Sequence, residues 1–325
     1  MNAAFLHHGG RLAEAMRVYG GDRHDWLDLS TGLNPVPWPV PPFADWAALP
    51  DPALLQRLEH TAAAYFGADP ALVCAVPGSE VALRLLAPLL GLPGRALAPA
   101  YRSHTEAFDR TRTISFAEAP DGAQTVAIAN PNNPDGILRA PAALLEWGER
   151  IGAAGGWLLI DEAFADCHPD HTVASHVSSA GRVIVLRSFG KFFGLAGLRL
   201  GFAIAPPAIL GRLRGLLGSW PIHSAALAIA AAAYADEPWI HRTRAQLPTR
   251  AAALDTVLHR HGLRPHGACP LFRYVTGCDA GTLFHALAQA HILVRPFEAY
   301  SDALRLGVPA TPQALHRLDL ALTHA

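Results

Sequence analysis

The chain has 325 residues, enough to bury a large core and to divide into two lobes. It is 51% hydrophobic and only 16% charged, the composition of a globular rather than a disordered protein. A formal net charge of −1, with no long run of one sign, argues against nucleic acid or an anionic membrane as the main partner.

Residues 1–50 are rich in Gly, Pro and Trp and read as an extended arm with little regular structure. The first ten lack the basic and apolar regions of a secretory signal. Residues 54–66 have helical periodicity. Short apolar runs at 125–129, 157–160, 183–186 and 198–205 then alternate with helical segments such as 142–154. Continuous apolar strands between helices predict an α/β fold, with a doubly wound, mainly parallel sheet covered on both faces. Helices are predicted over 209–217, 224–235 and 237–261. A strand at 271–276, a helix at 281–290, strands at 292–295 and 304–308 and a helix at 312–322 close the chain as a small α+β lobe. The expected domains are an arm (1–50), a large lobe (51–215), and a helical bridge with a small C-terminal lobe (216–325). The alanine-rich stretch 225–235 is too short to span a bilayer. Four cysteines without a CxxC pair read as reduced, mostly structural thiols of a cytoplasmic protein.

Lys191 is the only lysine in the chain, although Lys and Arg together number 26. Arginine replaces lysine as a surface charge but not as a nucleophile, because a lysine amine can be deprotonated and condense with a carbonyl. Lys191 is therefore a candidate Schiff-base residue. Polar residues follow each apolar strand: Asn130-Pro131-Asn132-Asn133, then Asp161-Glu162-Ala163-Phe164, then Ser188-Phe189-Gly190-Lys191. Ligands of open α/β sheets bind beyond the carboxyl ends of strands, so these loops are expected at one cleft. Gly78-Ser79, entering a helix, offers backbone N–H groups for a phosphate. Arg199 adds a guanidinium. Asp166, His168, Asp170 and His171 read as a solvated loop rather than a metal site, and no metal is expected.

Asn-Pro-x-Asn-Pro-x-Gly, Asp-Glu-Ala, Ser-x-x-Lys and Gly-Leu-Ala-Gly-Leu-Arg-Leu-Gly, in this order, resemble the fold-type I pyridoxal-phosphate enzymes of aminotransferase class I/II. The resemblance implies pyridoxal 5'-phosphate as cofactor, bound through Lys191. It implies that Asp161 pairs with the pyridine nitrogen and Asn133 with the ring hydroxyl. Tyr101 would stack on the ring; Gly78, Ser79, Ser188 and Arg199 would hold the phosphate. It also implies a homodimer. Three positions depart from the family pattern: Phe164 and Leu49 stand where tyrosines are common, and Gly190 where a second phosphate-binding serine is common.

His8-Gly9-Gly10 and Asp28-Leu29-Ser30-Thr31-Gly32-Leu33-Asn34-Pro35 resemble the threonine-phosphate decarboxylases of cobalamin synthesis, a group close to histidinol-phosphate aminotransferase. That resemblance implies a small phosphorylated amino acid as substrate, with His8, Gly9, Gly32, Arg295 and Arg305 as contacts. Two arginines suit a substrate with a carboxylate and a phosphate. Which arginine takes which anion is not written in the sequence. Decarboxylation is the expected reaction and amino-group transfer the alternative, because the choice rests on how the Cα bonds are oriented.

Overall fold

The computed structural model describes residues 3–42, 46–118 and 122–324. The chain forms two compact units. One comprises Pro37–Asn133 and Leu138–His241. The other comprises residues up to Val36, Pro134–Ile137 and residues from Arg242 onward. The division falls elsewhere than the sequence suggests, since most of the arm belongs with the C-terminal part. Residues 1, 2 and 43–45 of the arm lie outside the described residues.

The first unit is built on a seven-stranded sheet. Its strands are β1 (Val73–Val76), β2 (Gly94–Leu97), β3 (Arg112–Ile114), β4 (Thr125–Ala129), β5 (Trp157–Asp161), β6 (Val183–Ser188) and β7 (Gly201–Ile204). They lie in the order β1-β7-β6-β5-β4-β2-β3. Strands β6-β5-β4-β2-β3 pair in parallel, whereas β7 is antiparallel to both of its neighbours. Every residue of β4 and β5 is buried, as an unbroken apolar run in a parallel sheet requires. The predicted strands at 125–129, 157–160 and 183–186 are thus present, and the 198–205 run shortens to β7. Strands β1, β2 and β3 carried little sequence signal. They have three or four residues each, and two of the three in β3 are exposed.

Helices open and close on identifiable residues. Asp51 Oδ1 accepts from Ala53 N at 2.8 Å to start Pro52–Phe66, and left-handed Gly67 ends it. The next helix, Ser79–Leu90, begins directly after β1 and Gly78.

In the other unit, residues 12–19 correct the expectation of an irregular arm: Leu12–Tyr19 is an α-helix. Leu12, Ala15, Met16 and Tyr19 recur at helical spacing and pack on this unit's core, and Gly20 at φ +80° stops the helix. Leu27–Asp28 pairs in parallel with Ile292–Leu293. An antiparallel sheet runs in the order Arg295–Pro296, Leu304–Gly307, Phe272–Thr276, Arg264–His266. The core holds Phe5, Trp26 and Leu29 of the arm together with Phe284, Leu304 and Leu306. No helix among the described residues is long and apolar enough to cross a membrane.

Candidate active site

Strand β6 runs straight into a one-turn helix, Phe189–Phe192, that carries Lys191. Phe189, Phe192 and Phe193 are completely buried around it. Phe189 stacks on Phe193 with ring centroids 4.6 Å apart, and Phe193 on Trp239 at 5.5 Å. Three buried rings fix the turn, so the lysine stem starts from a rigid base. Lys191 itself is only partly buried, and its Nζ lies 5.8 Å from the centre of the Phe164 ring. The departure at Gly190 has a steric cause: a Cβ there would sit 2.6 Å from Ala196 Cα. No serine fits that position without moving the backbone.

Asp161 ends β5, beside Leu186 of β6. Its Oδ1 accepts from Ala163 N at 3.1 Å, and its Oδ2 lies 3.2 Å from Nε2 of the buried His104, which donates. The carboxylate is therefore held from two sides. Tyr101 meets His104 edge-to-face, centroids 5.5 Å apart at 89°. The Tyr101 hydroxyl donates to Glu80 Oε2 at 3.3 Å. Burial, then the nearby Glu80 charge, push the Tyr101 phenol up to about 12. Sequence reasoning missed His104 and Glu80. The available signals were the three-residue spacing between Tyr101, the N-cap, and His104 in the short helix Arg102–Glu106, and the place of Glu80 directly after Ser79.

The turn that the sequence marks for a phosphate lies at the start of helix Ser79–Leu90. The first N–H groups of a helix have no intrahelical acceptor. Here the N–H groups of Val81 and Ala82 donate to Gly78 O at 3.1 and 3.3 Å, which leaves those of Ser79 and Glu80 for a ligand. Gly78 has φ +96° and ψ 147°, a region open essentially to glycine. A Cβ there would lie 2.9 Å from Arg199 Nη2. Arg199 is thus brought to the turn, from a left-handed backbone at φ +50°. That conformation costs a non-glycine residue on the order of 1–3 kcal/mol. A Cβ at Gly201 would lie 2.6 Å from Ser79 N, and Gly201 pairs with Ser188 across β7 and β6. Gly78, Ser79, Ser188 and Arg199 therefore belong to one corner of the sheet.

Asn133 lies four residues beyond the end of β4 and is partly buried. The loop leading to it is fixed by its neighbours: Asn132 Nδ2 donates to Pro99 O at 2.9 Å, and Asn130 Oδ1 accepts from Arg139 N at 2.8 Å. Behind the site, Arg187 Nη1 donates to Glu162 Oε2 at 2.8 Å, and its Nη2 pairs with Asp166. All three are buried. This corrects the reading of Asp166 as part of a solvated loop: it neutralises an arginine inside the unit. Burial pushes the Glu162 carboxyl up, and the Arg187 charge opposes that shift.

In the other unit Arg295 and Arg305 stand opposite each other on neighbouring antiparallel strands, each 7% exposed. Like charges at facing positions repel and call for acceptors or anions. Arg295 Nη1 donates to Phe5 O at 2.6 Å, and its Nη2 to Leu6 O at 3.0 Å and His7 O at 2.6 Å. Arg305 Nη2 donates to Ser30 O at 3.1 Å. His8 is exposed, Gly9 partly buried and Gly32 buried. A Cβ at Gly9 would meet Ser30 O at 2.2 Å, so glycine is required there.

The first unit's donor set suits a group with an aldehyde, a protonated ring nitrogen and a phosphate. It supplies one amine, a carboxylate held at a strand end, and a helix start kept open by Gly78 and Gly201. Residues 113–318 match the aminotransferase class I and II family. The chain is 41% identical to the threonine-phosphate decarboxylase of Pseudomonas aeruginosa, over 98% of this chain and 97% of that protein. It is 39% identical to a threonine-phosphate decarboxylase of a Sinorhizobium species, over 97% of each. The histidinol-phosphate aminotransferase of Sinorhizobium meliloti, solved in complex with pyridoxal-5'-phosphate, has a TM-score of 0.73 at 18% identity. That match covers 99% of this chain and 89% of that one, and the likeness is one of fold. A match across nearly two thirds of the chain, on a sheet whose strand ends carry the expected residues in order, leads to one conclusion: the chain belongs to the aminotransferase class I and II family.

Proposed function

We propose that this protein is a pyridoxal-phosphate-dependent threonine-phosphate decarboxylase, converting O-phospho-L-threonine to 1-amino-2-propanol O-phosphate, the linker unit of cobalamin. The observation that carries the reaction type is the near full-length likeness to two threonine-phosphate decarboxylases. Bound to Lys191 through its aldehyde, pyridoxal phosphate supplies an electron sink for the pair left on Cα when the carboxylate leaves as carbon dioxide.

The chain's own residues have the following roles in this reading. Lys191 would hold the cofactor through its aldehyde, and its amine, when free, would carry a proton to Cα. Asp161 keeps the ring nitrogen protonated, and His104 holds Asp161 at the correct angle. Asn133 takes the ring hydroxyl and Tyr101 covers the ring. Ser79, Ser188, Arg199 and the Gly78 turn take the cofactor phosphate. Arg305 and Arg295 draw the substrate's two anionic groups, and His8, Gly9 and Gly32 line its phosphate. We also assign a homodimer in the cytoplasm. Trp46, Leu49 and Trp220, each more than half exposed, support the former, and four free thiols the latter.

Incubation with O-phospho-L-threonine tests the reaction by release of carbon dioxide and the phosphorylated amine. Transfer of the amino group from histidinol phosphate to 2-oxoglutarate, without carbon dioxide from phosphothreonine, would replace the decarboxylase reading by an aminotransferase. Light scattering at micromolar concentration tests the dimer.

A further inference from the structure

Arg199 has a left-handed backbone, φ +50°, in a turn that packs on two parts of the candidate site. Its Nη2 lies against the Gly78 turn, and Ala196 of the same turn packs on Gly190, the residue before Lys191. Leu198 N donates to Leu195 O at 3.1 Å and Arg199 N to Ala196 O at 3.3 Å. Arg199 Nη1 also donates to Ala196 O, at 3.2 Å. These bonds lie within the turn itself, and such a backbone persists only where the surroundings hold it. One outside hold is His223, the N-cap of helix Ser224–Ala235. Its Nδ1 accepts from Ala226 N at 3.2 Å. Nε2 therefore carries the ring hydrogen and donates to Leu198 O at 3.1 Å. The helix behind it is firmly seated: Leu227, Ala230 and Tyr234 are buried, and the Tyr234 ring meets those of Phe189 and Phe193, each at 5.3 Å. Ser, Thr, Asp and Asn are the usual N-caps. Each would satisfy Ala226 N, but each is too short to cap the helix and reach Leu198 O at once. An imidazole, with a nitrogen on either side of its ring, does both.

We propose that His223 is a positioning residue for the cofactor phosphate: through Leu198 O it holds the turn that keeps Arg199 at Gly78. It acts through Arg199 rather than on the phosphate itself. Without the bond to Leu198, the turn relaxes from its left-handed backbone and the guanidinium leaves the mouth of helix Ser79–Leu90, so the cofactor dissociates more readily. This role deepens the reading of Arg199 as a ligand of the cofactor phosphate and rests on it.

The test uses the full-length holoenzyme and separates the cap from the hold on Leu198. His223→Asn keeps an N-cap side chain but loses the reach to Leu198 O, so its Tm should stay close to that of the wild type. Its dissociation constant for pyridoxal phosphate, measured by equilibrium dialysis, should rise roughly fivefold, the loss expected for one hydrogen bond between neutral groups. The phosphorus resonance of the bound cofactor should move toward that of free pyridoxal phosphate, and the Leu198 and Arg199 amides should exchange hydrogen faster. His223→Ala, which loses both nitrogens, should release cofactor about as readily as His223→Asn but melt lower. Loss of cofactor in His223→Ala alone, in step with its Tm, would make His223 a helix cap only and overturn the proposal. Wild-type exchange at Leu198 and Arg199 in His223→Asn overturns it as well. So does faster exchange with unchanged cofactor retention, and Arg199→Ala then locates the fault. If that variant sheds cofactor, the role of His223 is wrong; if it too keeps its cofactor, the reading of Arg199 falls with it.

Discussion

Arg187, on one side, and Arg295 and Arg305, on the other, show two uses of a buried arginine. Arg187 meets two carboxylates, Glu162 and Asp166, and also lies over the Phe66 ring at 4.5 Å. Its charge is cancelled on the spot, and the cluster ties the Asp161 loop to the strand that leads to Lys191. Arg295 and Arg305 meet main-chain carbonyls, of Phe5, Leu6 and His7 for one and of Ser30 for the other. A carbonyl dipole satisfies an N–H group without cancelling the cation. A carboxylate partner thus makes an arginine a structural tie, whereas carbonyl partners leave a fixed positive charge that can attract an anion. The difference lies between positions rather than units, since buried Arg273, in the same unit as Arg295 and Arg305, is tied to the Asp255 carboxylate.

The largest effect tests the chain's one lysine. Lys191→Arg keeps the charge and nearly the size but removes the nucleophile. It should lower kcat by at least about a thousandfold. Borohydride reduction of the wild type should place the cofactor on the peptide containing Lys191, and the variant should carry no label. Normal turnover by the variant would remove Lys191 from the chemistry.

Next comes the tie itself. Arg187→Met leaves Glu162 and Asp166 buried without their cation and should cost about 3–5 kcal/mol. In a unit of this size that is a fall in Tm of roughly 10 °C. Arg305→Lys is the opposing case. It should leave Tm and cofactor content nearly unchanged but raise KM for O-phospho-L-threonine about tenfold, since an ammonium loses the fork. If both variants lose stability alike, the contrast between the two sets of arginines fails.

Asp161→Asn should keep the cofactor and lose most activity, because the ring nitrogen is no longer held protonated. Much of this candidate site is legible in the sequence. Lys191 stood out as a lone amine, and Asp161, Asn133 and Ser188 each followed an apolar run. Strands β4, β5 and β6 were legible because both sheet faces are covered, so the runs are unbroken. What was hidden depends on contacts between distant segments. Nothing in the sequence marks His104 as the partner of a carboxylate 57 positions away. Nothing marks Arg187 as the partner of Asp166, or Arg295 as a donor to Phe5 O. The arm helix Leu12–Tyr19 was masked by its Gly-, Pro- and Trp-rich surroundings, and its stripe gains meaning only against the core that it covers.

Gly190→Ser would restore the family's more common residue and should nonetheless do harm. The new Cβ has to displace the Ala196 backbone, which overpacking data place at about 1–3 kcal/mol. The expected result is a lower Tm together with weaker retention of cofactor, measured by absorbance after dialysis. A gain in cofactor affinity would show that the turn yields easily.

The smallest effect concerns Tyr101. Its folded-state phenol is raised from 10.0 to about 12, first by burial and then by Glu80. A raised acid pKa means that the fold favours the neutral form. The associated stability is complete below pH 10, where folded and unfolded chains are both protonated. It is lost as pH rises from 10 toward 12, where the unfolded phenol ionises first. In the neutral range Tyr101 stays a donor to Glu80 and should add no titration to the activity profile. Tyr101→Phe keeps the ring and loses that one hydrogen bond, so kcat/KM should fall only a few-fold, in line with about 1 kcal/mol for a neutral-to-charged bond of modest geometry. The shape of the pH–rate curve between pH 6 and 9 should be unchanged. Above pH 10 the variant should lose less stability per pH unit than the wild type. A new inflection near neutrality in the wild type that vanishes in Tyr101→Phe would mean that the phenol ionises there, against the burial that holds it neutral.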